Sequence, residues 1–62
     1  MIEVIDTITG DEMTYEDIEE FGEVSKRSFD ESVHDVIDSL VDAYRHGEPT
    51  QAYQSYLGIE IR

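Results

Sequence analysis

The first residues of the chain alternate between apolar and polar side chains as a strand does. Residues 2–8 read IEVIDTI, are rich in β-branched side chains, and set Glu3 between Ile2 and Val4. Side chains of a strand point alternately to its two faces, so this segment is expected to be half-buried. The pattern predicts a strand over residues 2–8.

A turn separates this strand from the first helical pattern. Residues 9–12 include Gly10, whose permissive backbone suits a turn. Residues 13–15 then either return as a second strand, forming a hairpin, or lead directly into a helix capped by Thr14, with Asp17 at the third position. The sequence leaves both possibilities open, and extended chain is expected to end near Thr14.

The first helix is expected over residues 15–24 and is weakly specified. Its apolar side consists of Tyr15, Ile18 and Phe21. Gly22 lies within it and costs roughly 1 kcal/mol relative to alanine in a helix interior. We therefore expect the helix to end or bend near Gly22, with residues 24–27 forming a connector.

The clearest helical pattern covers residues 29–46. Ser28 and Glu31 have the spacing of a capping box, in which each side chain satisfies a free backbone amide. Apolar residues then recur at helical spacing: Phe29, Val33, Val36, Ile37, Leu40, Val41 and Tyr44. Gly47 is placed to end the helix.

The C-terminal part predicts a short helix followed by a strand. Thr50 can cap a helix over residues 51–57, which Gly58 would close, and residues 59–62 alternate apolar and charged side chains. The expected fold class is α+β. In it, a small antiparallel sheet, made of the N-terminal strand or hairpin and the C-terminal strand, packs on a long central helix, with one or two short helices.

Charge changes this picture most. The chain has 62 residues, of which 16 are Asp or Glu and four are Lys or Arg, so its net charge is −12. A chain of this length is expected to form a single compact acidic domain over residues 1–62 of marginal stability. Phosphate repulsion argues against direct binding of nucleic acid or of an anionic membrane, so a basic DNA- or RNA-binding protein is the expected partner. The start of the chain lacks a basic, apolar leader pattern, which predicts a cytoplasmic protein.

The acids are arranged in two stripes with the same four-then-three spacing. On the second predicted helix the stripe is Glu31, Asp35, Asp38 and Asp42, and on the first it is Glu16, Glu20 and Glu23. Helix geometry, at about 100° per residue, places each stripe opposite the apolar residues, with no basic residue between its members. Asp17 and Glu19 are expected to contribute to the same partner-binding surface.

Such stripes work against the helix that carries them. Like charges four residues apart repel by a few tenths of a kcal/mol per pair, and aspartate is a poor helix former. Asp38 and Asp42 also lie in the C-terminal half of their helix, where the dipole disfavours anions. A functional interpretation is that carboxylates about one turn (5.4 Å) apart imitate backbone phosphates. Solubility and a halophilic source are the competing explanations.

No arrangement of residues points strongly to catalysis or to a bound metal. The tripeptide at residues 38–40 resembles the attachment motif of acyl carrier proteins, but Ser39 lies inside a helix rather than at its start. His34 and Asp38 are one turn apart, and no third ligand or nucleophile accompanies them. We therefore expect a non-enzymatic protein with no cofactor and no metal.

In size and charge the whole chain resembles small phage-encoded DNA mimics, including anti-CRISPR and anti-restriction proteins. This resemblance implies an inhibitor that occupies the basic DNA-binding surface of a host or defence protein, for example a CRISPR effector complex or a restriction enzyme. The alternative is an acidic adaptor or antitoxin-like module that binds a basic protein without imitating DNA. Tyr44, Tyr53 and Tyr56 are expected in the core or at its edge, and an exposed Tyr53 or Tyr56 would be a candidate anchor for such a partner.

Overall fold

The structure, a computed structural model, describes all residues from 1 to 62 and has the expected α+β class. Its elements are β1 (Ile2–Asp6), β2 (Glu12–Tyr15), α1 (Ile18–Ser28), a 3₁₀ turn (Glu31–Val33), α2 (His34–Arg45), α3 (Gln51–Leu57) and β3 (Ile59–Ile61). The three strands form one antiparallel sheet in the order β2-β1-β3. The predicted pairing of the N-terminal and C-terminal strands is confirmed.

The N-terminal region is a hairpin, which resolves the choice that the sequence left open. Val4 lies opposite Met13 in the β1–β2 register. The first strand ends at Asp6 rather than continuing to residue 8, because the Asp6 carboxylate accepts the backbone N–H groups of Ile8 at 2.8 Å and Thr9 at 3.1 Å and so turns the chain. The hydrogen bonds from Thr9 and Ile8 hold the pKa of the Asp6 carboxyl below its ordinary value of 3.8.

The first helix begins and ends later than the sequence pattern predicted. Asp17, not Thr14, is its N-cap, and the helix passes through Gly22 to end at Ser28. Gly22 does not interrupt it because the residue lies against α2, where a Cβ would come within 2.9 Å of Val41 Cγ2. The predicted connector over residues 24–27 is therefore helical.

The predicted long central helix is shorter in the structure. Ser28 does not form the expected capping box with Glu31, because it closes α1, where its hydroxyl donates to the carbonyl of Val24 at 3.3 Å. Asp30 instead caps the 3₁₀ turn by accepting the N–H of Ser32 at 3.2 Å. The α-helical part of this segment thus begins at His34 rather than at residue 29.

The predicted third helix over residues 51–57 is confirmed. It ends at Gly58, whose φ of 71° is left-handed and favours glycine. The Thr50 hydroxyl accepts the side-chain N–H of Gln54 at 2.8 Å instead of a backbone amide.

One core joins the sheet to the helices. Its fully buried large side chains are Phe21, Ile37 and Leu40. Around them pack Ile2, Val4, Tyr15, Ile18, Val41, Leu57 and Ile59. The helices thus cover one face of the sheet. None of them is long and apolar enough to span a lipid bilayer.

Candidate protein-binding surface

The two main helices lie side by side because glycine allows them to approach. Gly22 and Val41 meet at the seam, and both are buried. A shallow cleft of about 180 Å³ follows this seam. Its charged lining residues are Glu19, Glu23 and Lys26 from α1, and Asp38 and Arg45 from α2. The contact therefore brings acids from both helices onto one surface.

Two salt bridges cross the seam. Lys26 pairs with Asp38, and Arg45 pairs with Glu19. The expected absence of basic residues beside the acid stripes is therefore wrong at Asp38, and Glu19, an acid outside the stripes, is paired as well. All four side chains are partly exposed, so each pair stabilises the fold by about 0–1 kcal/mol.

The acids of α2 form an exposed row. Asp35, Asp38 and Asp42 occupy successive turns and are all exposed. The Nδ1 atom of His46 lies 2.7 Å from the carbonyl oxygen of Asp42 and 3.6 Å from the Asp42 carboxylate. This histidine therefore contacts the C-terminal turn of α2. Glu31 precedes the row and lies in the 3₁₀ turn that leads into α2.

The predicted stripe of the first helix is divided by the helix start. Glu16 precedes α1, and Asp17 accepts the N–H of Glu20 at 2.8 Å. The Glu20 carboxylate in turn accepts the N–H of Glu16 at 3.1 Å. This reciprocal arrangement satisfies amides at the helix start, so Asp17 and Glu20 have a structural role there.

Glu16 and Glu20 also face a different part of the surface. They line a cleft of about 420 Å³ together with Met1, Thr14 and Tyr15. Burial, with a smaller effect of the Glu20 carboxylate, raises the pKa of the Tyr15 hydroxyl. Of the nine predicted residues, three line the cleft at the seam of α1 and α2, and Asp35 and Asp42 belong to the same exposed row on α2 as the third of them, Asp38. We call this set the acidic face: Glu19, Glu23, Asp35, Asp38 and Asp42.

The predicted end of the first helix explains why the sequence pattern placed no basic residue beside the acids of α1. With the helix ended at residue 24, Lys26 fell outside it. Extending α1 to Ser28 puts Lys26 about 20° from Glu19 on the helical wheel, on the same side. A later helix end would therefore have shown a basic residue on the acidic side of α1.

The residues considered for chemistry lie apart from this surface or stand alone. Ser39 is exposed in the middle of α2, far from a helix start. His34 is half-buried, and its Nε2 atom has no hydrogen-bond partner. No group of three or more His, Cys, Asp and Glu side chains is arranged to hold a metal ion.

The tyrosines differ in exposure. Tyr53 is half-buried and packs against the core, whereas Tyr44 lies at its exposed edge. Tyr56 is 68% exposed on α3, which contradicts its expected place at the core. It is therefore available as an anchor for a partner.

Comparison with protein-family models, with curated proteins and with solved structures gives no significant match for this chain.

Proposed function

We propose that this protein is a non-enzymatic inhibitor that imitates nucleic acid in the host cytoplasm. The acidic face would occupy the basic DNA-binding surface of a host or defence protein, for example a CRISPR effector complex or a restriction enzyme. The observation that carries the proposal is the exposed row Asp35, Asp38 and Asp42 on α2, with Glu19 and Glu23 beside it on α1.

The spacing and the charge of this face suit a surface that binds phosphates. Successive acids of the α2 row are three or four residues apart, which corresponds to about 4.5–6 Å along the helix. Lys and Arg side chains that contact phosphate oxygens fix the position of a protein on DNA, and the same side chains can contact carboxylates. The net charge of −12 adds long-range attraction to a basic surface, so association should be fast and salt-dependent.

The salt bridges across the seam are compatible with this function. Lys26 and Arg45 each hold one acid of the face, and three of the five acids have no Lys or Arg partner. Because exposed pairs contribute only about 0–1 kcal/mol, Asp38 and Glu19 can exchange their intramolecular partners for those of a target at little cost.

The test compares charge reversal on the acidic face with the same reversal elsewhere. One variant carries Asp35→Lys, Asp38→Lys and Asp42→Lys. The matched control carries Glu3→Lys, Glu48→Lys and Glu60→Lys, at exposed positions outside α1 and α2. Both have a net charge of −6 instead of −12, because each of three replacements changes the charge by two units. Circular dichroism checks that both variants fold.

The immobilised proteins are exposed to a bacterial lysate, and the bound fraction is then challenged with duplex DNA. The wild type and the control should capture DNA-binding proteins that duplex DNA releases, and the acidic-face variant should capture at least about tenfold less, the loss expected when several close charge pairs are reversed. Equal capture by the two triple variants would refute a role for the acidic face. Captured proteins that duplex DNA does not release would refute mimicry.

A second candidate function is an acidic adaptor that binds a basic protein without imitating DNA. The exposed Tyr56 favours it, because tyrosine is enriched among residues that dominate interface energies. The same competition separates the two functions, since an adaptor and duplex DNA can bind the target together, whereas a mimic and duplex DNA exclude one another.

A further inference from the structure

The two edges of the sheet differ in whether a side chain covers them. At the β3 edge, the backbone N–H of Ile61 donates to the side-chain oxygen of Gln54 at 2.9 Å. Gln54 is buried, and its amide N–H donates to Thr50, which fixes its orientation. A side chain of α3 therefore occupies this edge of the sheet.

The β2 edge has no such cover. The N–H of Asp6 donates to the carbonyl of Asp11 at 2.8 Å, so these two residues form a hydrogen-bonded pair of the antiparallel ladder. Because paired residues alternate in such a ladder, Met13 and Tyr15 point their backbone groups toward β1, whereas Glu12 and Thr14 point theirs away from the sheet. Both outward-pointing residues are exposed. The N–H of the next outward position, residue 16, is already bonded to the Glu20 carboxylate.

An apolar side chain beside this edge is only half covered. The register places Met13 opposite Val4 on the face that the helices cover, yet Met13 is 54% exposed and Val4 only 6%. Met13 lies on the last strand, so no further strand shields it. It helps to line a cleft of about 450 Å³ whose other apolar walls include Phe21, Val24 and Phe29.

The charged residues of this cleft all have the same sign. Asp6, Asp11 and Glu12 line it, and no basic residue does. A second copy of this chain would bring the same acids against them, and each copy has a net charge of −12. The charge therefore favours a basic occupant over self-association.

We propose that the free edge of β2 accepts an extended segment of a partner protein as a fourth strand. Side chains of such a segment alternate between the two faces of the sheet. Apolar side chains on one face would enter the cleft beside Met13, and Lys or Arg side chains on the other would lie beside Glu12. This inference goes beyond the proposed function, because it concerns a different surface and does not depend on mimicry of DNA.

The test uses a short basic peptide with the required alternation. The probe is acetyl-Lys-Val-Lys-Val-Lys-amide, titrated into the isotope-labelled full chain at physiological salt and followed by the backbone amide signals in NMR spectra. Acetyl-Lys-Ser-Lys-Ser-Lys-amide keeps the charge and removes the apolar side chains. The largest shifts should occur at residues 12–15 and 24–29 with the valine peptide, and the serine peptide should bind at least about tenfold more weakly, as the loss of two buried apolar side chains implies.

Two variants test the edge itself. Thr14→Pro removes an outward N–H without breaking a bond to β1, and should abolish the shifts at β2. Glu12→Lys should weaken binding at least about threefold, in line with loss of an exposed charge pair. Glu60→Lys on β3 is the matched control and should leave binding unchanged.

Three results would overturn the proposal. They are equal binding of the two peptides, largest shifts on the acidic face, and absence of binding at millimolar peptide. A fourth such result is a wild-type dimer in sedimentation that Thr14→Pro converts to a monomer, which would assign the edge to a second copy.

Discussion

At the residue scale, Gly22 shows how one position can have opposite local and tertiary effects. In sequence it is a weak point of a helix, because glycine disfavours helical backbone. In the structure it allows α1 and α2 to pack, since a Cβ there would lie 2.9 Å from Val41 Cγ2. Val41 is buried and β-branched, so it has little freedom to move aside.

Gly22→Ala should therefore destabilise the protein, although alanine is the better helix former. Overpacking costs about 1–3 kcal/mol and the gain in helix propensity is about 1 kcal/mol, so we expect a net loss of about 1 kcal/mol in the free energy of unfolding. Urea denaturation measures it. The control is the same substitution in a Val41→Ala background, where alanine at position 22 should be stabilising. A stabilised Gly22→Ala single variant would show that the contact is not tight.

At the scale of elements, the helix boundaries were decided by which of two nearby caps was used. Thr14 and Asp17 both had an acid at the third position, and Asp17 with Glu20 forms the cap. The capping box predicted at Ser28 does not form, because Ser28 is the last residue of α1. The buried side of that helix includes Phe21 and Ser25. Capping contributes about 1 kcal/mol, which burial of a helix face readily exceeds.

The cap at Asp17 provides a test that separates structural from functional acids. Asp17→Ala should lower the free energy of unfolding by about 1 kcal/mol, whereas Asp17→Asn keeps an acceptor oxygen and should cost much less. Thermal and urea unfolding measure both. Because Asp17 lies outside the acidic face, Asp17→Asn should also capture target proteins as the wild type does. Equal stability of the two variants would show that the side chain does not cap α1.

At the scale of the whole molecule, charge repulsion opposes folding. The net charge of −12 is confined to a chain with a radius of gyration of 10.5 Å. This radius is close to the Debye length of about 10 Å at 0.1 M salt and well below the value of about 30 Å at 0.01 M. Most of the acids therefore repel one another in dilute salt, and the four salt bridges are all exposed and weak.

The midpoint of thermal unfolding should consequently rise when NaCl is raised from 0.01 M to 0.5 M. A reduction in repulsion of about 1 kcal/mol corresponds to a rise of about 4–8 °C for a domain of this size. Calorimetry or circular dichroism measures it, and the triple Lys variants, with half the net charge, should show a smaller rise. A chain that folds only at molar salt would support the halophilic explanation, and a falling midpoint would show that ion pairs outweigh the repulsion.

The candidate surface was only partly readable from the sequence. Asp35, Asp38 and Asp42 could be placed on one side of a helix from spacing alone, and the structure shows them exposed there. Their neighbours on α1 depend on where that helix begins and on how it rotates against α2. Neither quantity follows from the spacing of acids, which is why the sequence pattern groups Glu16 and Glu20 with residues that they do not accompany.

By itself the sequence determined the α+β class, the third helix, the pairing of the terminal strands and the acidity of the surface. The elements follow from local periodicity and the acidity from composition, and the pairing is expected because each strand needs a neighbour for its backbone groups. The tertiary structure alone decided the hairpin, the passage of α1 through Gly22, the salt bridges across the seam and the free edge of β2. Each arises from contacts between different elements, where burial and contact geometry outweigh local preferences of about 1 kcal/mol.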